Sequence, residues 1–108
     1  MPIYNKLVRD RIPEIIEKSG KQFTSSILND EQYIEELKNK GFEELEEYTY
    51  AANDTVALEE LADVLEIIHA LAAHHGSTFE EIEEIRKEKV KKRGGFQEKI
   101  FLHEVEDD

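Results

Sequence analysis

The sequence has 108 residues, which is the length of one domain, spanning 1–108. Lys and Arg number 14 against 26 Asp and Glu, so the formal net charge is −12, which argues against binding to nucleic-acid polymers or anionic membrane surfaces. With no cysteine, disulfides, thiolate catalysis and thiolate zinc sites are excluded. A charged N-terminal stretch and the lack of any apolar run near ~20 residues predict a cytoplasmic globular domain.

The first half of the chain predicts one short helix and one long helix. Residues 8–18 form the short one, with Pro13 near its first turn, where a missing N–H costs little. Asn29 or Asp30 then caps a long helix over 31–52, because both side chains can accept the free backbone N–H groups of a first turn.

The second half predicts two further helices. One runs over 55–75 and ends at Gly76, a residue typical of helix ends. Ser77 and Thr78 each stand three residues before a Glu, Glu80 and Glu81, which is the spacing of a capping box, and they open a last helix over 79–93.

Two short segments rich in β-forming residues flank these helices, at 22–28 and 99–105. We expect them to pair. The predicted fold is therefore mainly α, an antiparallel core of about four helices with a small two-stranded β element. The apolar stripe of the 55–75 helix is wider than one neighbour can cover, which predicts an oligomer.

Most of the acidic residues belong to solvated helix faces, but four fall where apolar side chains should lie. At about 100° per residue, Glu44 lies inside the apolar stripe of the 31–52 helix and Glu47 at its edge, while Glu43 faces outwards. On the 55–75 helix, Glu60 lies inside the stripe and Asp63 on its border.

Each long helix thus carries an acid pair at positions i and i+3, which are neighbours on a helix surface. Antiparallel packing would bring the four carboxylates together, and they could not all stay ionised without cations. All-oxygen ligation suits Mg²⁺, with Mn²⁺ as the other candidate. The alternative is that these acids form ion pairs with basic residues at a helix interface.

Two groups of basic residues complement these acids. On the 79–93 helix, Arg86, Lys89 and Arg93 share a face with apolar residues. The other group lies near the N-terminus and consists of Lys6, Arg9 and Arg11. Such cations can neutralise the acidic helices or extend into solvent, or they can bind the phosphates of a ligand.

Two segments resemble a known family. Glu43-Glu44-Leu45-Glu46-Glu47, then twelve residues, then Glu60-Leu61-Ala62-Asp63 is similar to the EExxE…ExxD signature of the all-α NTP pyrophosphatase superfamily, which includes MazG-like proteins. The segment 4–13 (YNKLVRDRIP) and Arg93-Gly94-Gly95-Phe96 resemble its small, single-domain branch of phosphoribosyl-ATP pyrophosphohydrolase-like proteins, which are house-cleaning enzymes for non-standard nucleotides.

This resemblance implies an enzyme that hydrolyses a nucleoside triphosphate between its α- and β-phosphates, with Mg²⁺, to a monophosphate and pyrophosphate. It implies a homodimer or homotetramer in which two chains build each site. Carried over by position, the metal ligands are Glu44, Glu47, Glu60 and Asp63. Glu44, Glu47 and Glu43 are the catalytic candidates, with Glu47 or Glu43 taking a proton from water. The candidates for phosphate binding are Lys6, Arg9, Lys89 and Arg93.

A second hypothesis needs no catalysis. The chain would be a helical oligomerisation or regulatory module whose buried acids pair with Lys89, Arg86 or a partner chain. Under this hypothesis a divalent metal would not stabilise the fold, and loss of one acid would destabilise it by breaking a buried pair.

Overall fold

A computed structural model describes residues 2–107 and has four helices in that range. They are α1 (Ile12–Lys18), α2 (Asp30–Thr49), α3 (Asp54–His74) and α4 (Phe79–Arg93). The prediction of a mainly α chain with four helices is confirmed. Among these described residues, no helix combines the length and the apolarity needed to cross a membrane.

The starts of the three longer helices follow from their capping side chains. In each case a side-chain oxygen accepts the backbone N–H three residues on, which satisfies a group that the helix itself cannot bond. The caps are Asn29, Asn53 and Thr78, with bonds of 2.8, 3.0 and 3.2 Å. The side chain of Gln32 also accepts the N–H of Asn29 at 3.4 Å, which completes a capping box.

Two of the helices are shorter than the sequence predicted. The first helix begins at Ile12 and not at residue 8, because Pro13 has no N–H to bond the carbonyl of Arg9 and its ring would clash with that carbonyl inside a helix. The second helix ends at Thr49 and not at residue 52. The connection over 50–53 reverses the chain direction, so Ala51 and Ala52 lie outside the helix.

Helices α2 and α3 form an antiparallel hairpin, which is the main packing unit of the chain. Gly41 of α2 faces Ile67 of α3, whereas Glu47, further along α2, meets Glu60, earlier on α3. Residue numbers therefore rise on one helix as they fall on the other. The short connection between the helices dictates this arrangement, because four residues can only return the chain beside itself.

Helix α4 packs against α3 and, within the described residues, not against α2. The rings of His69 on α3 and Phe79 on α4 stack with centroids 4.4 Å apart and an interplanar angle of 4°. This contact fixes the start of α4 beside the last turns of α3. The cationic far end of α4 extends from the hairpin and does not lie along it.

The predicted two-stranded β element is wrong. Neither segment 22–28 nor segment 99–105 is a strand, and no strand occurs elsewhere in residues 2–107. Ile27 and Ile100 are 99% and 84% exposed, so each segment leaves an apolar side chain in solvent, although Phe23 and Leu28 of the first segment are half-buried. An isolated pair of strands is marginal in water without a third strand or a helix against it, and none is offered here.

The core of the single chain is small. Three residues are buried in the described part of the chain, namely Leu37, Ala72 and Glu44. Tyr48 and Leu61, which the helical periodicity placed in the apolar stripes, keep a large exposed surface. The hairpin therefore covers only one side of each stripe.

Candidate metal centre

The hairpin brings together acids from both of its helices. Glu44 and Glu47 are one turn apart on α2, and Glu60 stands opposite them on α3. One carboxylate oxygen from each of these three residues lies within 4.8 Å of the other two. We call these three residues the carboxylate cluster. The antiparallel register produces it. Glu44 and Glu60 come from the inner faces that the helical spacing predicted, and Glu47 comes from the edge of the α2 stripe.

Two oxygens of the cluster have no partner. Glu44 is 7% exposed, and its Oε2 atom makes no hydrogen bond within the described structure. The Oε2 atom of Glu60 is buried and unbonded in the same way. A buried carboxylate oxygen without a partner is costly, and a cation is the ligand that satisfies it. The donor set is all oxygen, which fits Mg²⁺ or Mn²⁺.

The electrostatics of the cluster favour a proton or a cation. Burial, followed by the negative charge of Glu47, raises the pKa of Glu44 to about 7. Burial and the neighbouring Glu47 also raise the pKa of Glu60 above its ordinary value. Within residues 2–107 no ion pair reaches Glu47 or Glu60. Two of the three acids, Glu47 and Glu60, therefore have no paired positive charge in this range.

The fourth predicted ligand, Asp63, is engaged elsewhere. Its Oδ1 atom accepts a hydrogen bond from Nη2 of Arg9 at 2.6 Å, and Asp63 is not one of the three converging acids. Glu43 is held similarly, because Nζ of Lys6 donates to its Oε1 atom at 2.9 Å. This bond to Lys6 lowers the pKa of Glu43. The N-terminal cations thus contact the acids at the margin of the cluster.

Sequence analysis missed one cation of the site, Lys40. Its Nζ atom lies 3.6 Å from Oε1 of Glu44 and 3.9 Å from Oε2 of Glu43. The signal was available, since Lys40 precedes these acids by four and three positions on one helix. Lys40 reaches only one oxygen of Glu44 and leaves the other without a partner.

An open concavity of about 650 Å³ lies beside the cluster. Its walls include Lys6, Glu43, Glu47 and Glu60, together with the aromatic rings of Phe42 and Tyr50. Both rings are largely exposed. Phe42 was not among the residues that the sequence singled out. A volume of this size accommodates a small organic ligand.

The basic residues of α4 lie outside this site. Lys89 and Arg93 are exposed, do not line the concavity, and make no ion pair within the described residues. Arg86 pairs with Glu83 on its own helix. The interface ion pairs that the second hypothesis assigned to Lys89 and Arg86 are therefore not formed within one chain.

Comparison of the chain with protein-family models, curated proteins and solved structures gives no match.

Proposed function

We propose that the protein is a Mg²⁺-dependent nucleotide pyrophosphohydrolase. Its substrate would be a nucleoside triphosphate of a non-standard kind, cleaved between the α- and β-phosphates to a monophosphate and pyrophosphate. The carboxylate cluster with its two unbonded, buried oxygens is the observation that carries this proposal. The order of the acidic motifs along the chain supports it, because they resemble those of the all-α NTP pyrophosphatases.

Glu44, Glu47 and Glu60 would hold the divalent cation, with Asp63 as a further ligand. Five carboxylates surround the site, whereas three basic side chains pair with them. The acids are Glu43, Glu44, Glu47, Glu60 and Asp63, and the bases are Lys6, Arg9 and Lys40. The formal deficit is two positive charges, which one divalent cation would supply. When bound, Mg²⁺ neutralises the charge of phosphate oxygens and lowers the pKa of water.

The remaining residues of the site have roles that follow from their positions. Glu43 lines the concavity and stays ionised at neutral pH, because Lys6 lowers its pKa. An ionised carboxylate can take a proton from water, and Glu47, on the same wall, is the other candidate for this role. Lys6 and Arg9 supply positive charge for the phosphates, and the planar guanidinium of Arg9 favours two-point contact.

Further copies of the chain would complete the molecule as a homodimer or homotetramer. One chain exposes 10144 Å² of surface, whereas a compact protein of this size exposes about 6,200 Å². Its radius of gyration is 18.6 Å, against about 13 Å for a compact domain of this length. The excess of about 3,900 Å² per chain, or about 7,800 Å² for two copies, exceeds the roughly 2,000–5,000 Å² that most obligate interfaces bury in total, so it leaves room for more than one interface per chain.

Such an assembly would also give the α4 cations a role. Lys89 and Arg93 are exposed and do not line the concavity of their own chain. In an oligomer they can approach the concavity of a neighbouring copy, where phosphates would bind. This proposal agrees with the resemblance, which implies sites built by two chains.

The test is pyrophosphate release from a panel of standard and damaged nucleoside triphosphates, with Mg²⁺ and with EDTA. We expect release only with the metal, and its loss in Glu60→Gln. The matched control is Glu59→Gln, which removes an exposed acid from the preceding position of the same helix. Release that survives EDTA, or that Glu60→Gln leaves intact, would contradict the assignment.

The non-catalytic alternative draws support from the ion pairs of Arg9 with Asp63 and of Lys6 with Glu43. In that case the acids serve the fold, and the chain is an oligomerisation or regulatory module. Thermal unfolding separates the two proposals. A rise in melting temperature with Mg²⁺ or Mn²⁺ favours the metal site. No rise, together with no pyrophosphate release, favours the module.

A further inference from the structure

The N-terminal segment connects the two helices of the hairpin across the margin of the metal site. Lys6 pairs with Glu43 on α2 at 2.9 Å, and Arg9 pairs with Asp63 on α3 at 2.6 Å. We call residues 6–9 the cationic strap. The partners lie 37 and 54 positions away along the sequence, so these are tertiary contacts and not the local pairs of a helix surface.

The backbone at both ends of the strap accounts for its course. Asn5 adopts a φ of +46°, in the left-handed region that Asn tolerates better than most residues, and turns the chain just before Lys6. At the other end, the carbonyl oxygen of Arg9 accepts the N–H of Ile12 at 3.0 Å, which links the strap to the start of α1. The two cations are thus presented from a defined turn.

The strap neutralises the margin of the site and forms no ion pair with Glu47 or Glu60 at its centre. Both of its ion pairs are partly exposed, whereas the unbonded oxygens of Glu44 and Glu60 are buried. Asp63 is one turn from Glu60 on α3, so it is the next carboxylate that a cation in the cluster would recruit. Arg9 occupies that carboxylate.

We propose that the strap is displaced by metal, with Arg9 and a divalent cation competing for Asp63. This inference depends on the proposed metal site and adds a regulatory contact to it. Arg9 holds Oδ1 of Asp63, and if the cation displaces Arg9 from this carboxylate, the strength of the lost pair is subtracted from the metal affinity. The pair is exposed, and exposed ion pairs are weak enough to be exchanged readily.

The first test measures Mn²⁺ binding, with no nucleotide present, by the electron paramagnetic resonance signal of free Mn²⁺. We expect Arg9→Gln to bind Mn²⁺ about two- to fivefold more tightly than the unaltered chain, the size of effect that an exposed pair gives. Arg11→Gln is the matched control. It removes the same charge nearby, but Arg11 pairs only with Glu14, at 3.5 Å on its own helix.

The outcomes separate this inference from the proposed function. If Mn²⁺ binds and Arg9→Gln behaves like Arg11→Gln, the strap does not compete and the inference is overturned, while the metal site stands. If neither the unaltered chain nor either variant binds Mn²⁺, both the inference and the proposed metal site fail. Tighter binding in Arg9→Gln alone supports the competition.

A second measurement follows the strap directly. The chain has no cysteine, so Tyr4→Cys gives a single position for a nitroxide label, beside the strap and exposed. We expect saturating Mg²⁺, which is diamagnetic, to increase the mobility of this label. A label at Lys38→Cys, on the exposed face of α2, should not respond. An unchanged spectrum at position 4, with Mg²⁺ bound, would overturn the displacement.

Discussion

Gly41 of α2 and Ile67 of α3 approach each other so closely that a methyl group at Gly41 would lie 3.4 Å from Cγ2 of Ile67. That distance allows ordinary contact and little more. Gly41→Ala should therefore stabilise the hairpin by about 0.5–1 kcal/mol, since Ala is the better helix former. Gly41→Leu should separate the helices and destabilise the fold by about 1–3 kcal/mol. Urea unfolding measures both, and equal effects of Ala and Leu would contradict this packing.

The stability of the metal-free protein should fall as the pH rises from 5 to 8. The pKa of Glu44 is raised from 4.5 to about 7 in the folded chain, so folding retains a proton there. The contribution of this proton to the free energy of unfolding is complete below pH 4.5 and is lost as the pH rises through 7. The fall should be on the order of 2 kcal/mol. Denaturant unfolding at several pH values checks this.

The matched variant for this pH dependence is Glu44→Gln, which cannot ionise. It should flatten the profile, apart from a smaller fall due to Glu60, whose pKa is raised in the same direction. Saturating Mg²⁺ should also flatten it, because the cation takes the place of the proton. A metal-free profile that is level from pH 5 to 8 would show that Glu44 is not buried as described.

Glu60→Gln should raise the melting temperature of the metal-free protein and abolish the stabilisation by Mg²⁺. The substitution removes one of three converging negative charges and keeps the shape of the side chain. Differential scanning calorimetry with EDTA and with Mg²⁺ gives both quantities. Destabilisation of the metal-free variant would instead indicate a lost ion pair, as the module hypothesis requires.

Lys6→Gln should weaken nucleotide binding more than it weakens the fold. Lys6 lines the concavity, and its pair with Glu43 is exposed, so its contribution to stability should stay below about 1 kcal/mol. The expected result is a rise of KM by about tenfold, the effect of losing one charged contact. Lys38→Gln, on the same helix as Glu43 but away from the concavity, is the control and should leave KM unchanged.

The exposed apolar ridge of α3 should be an interface between copies. Leu58, Leu61 and Leu65 are spaced by three and four positions, share one face, and are all exposed in the single chain. Leu61→Glu should convert an oligomer to a monomer in sedimentation equilibrium. Leu102→Glu, in the irregular C-terminal segment, should not. A chain that is monomeric at all concentrations without substitution would exclude this interface.

Sequence periodicity was sufficient for the hairpin because its signals are local. Asn29, Asn53 and Thr78 cap their helices through bonds that span three residues, and such bonds can be read directly from spacing. The placement of Glu44 on an inner face depends only on the helical repeat. The segment 22–28 was mispredicted because strand formation needs a partner, which is a tertiary property.

The margin of the site was harder to predict for the same reason. Periodicity can place Asp63 beside Glu60, but the contact of Asp63 with Arg9 joins residues 54 positions apart. Nothing in the spacing indicates which acid a distant cation will choose. Phe42 was also missed, because its ring faces solvent and only the shape of the concavity shows that it lines the site.

All three converging acids and Asp63 lie within one helical hairpin, whose reversal takes only four residues. The loop that must close to assemble the site is short, so little conformational entropy is lost in closing it. The residues that come into contact are also close in sequence, which favours fast folding. The acids can therefore gather early in folding, before the N-terminal strap arrives. Until Lys6 and Arg9 reach Glu43 and Asp63, Lys40 is the cation of the hairpin that pairs with acids of the site, and a divalent cation in the medium would relieve the remaining repulsion and act as a folding aid.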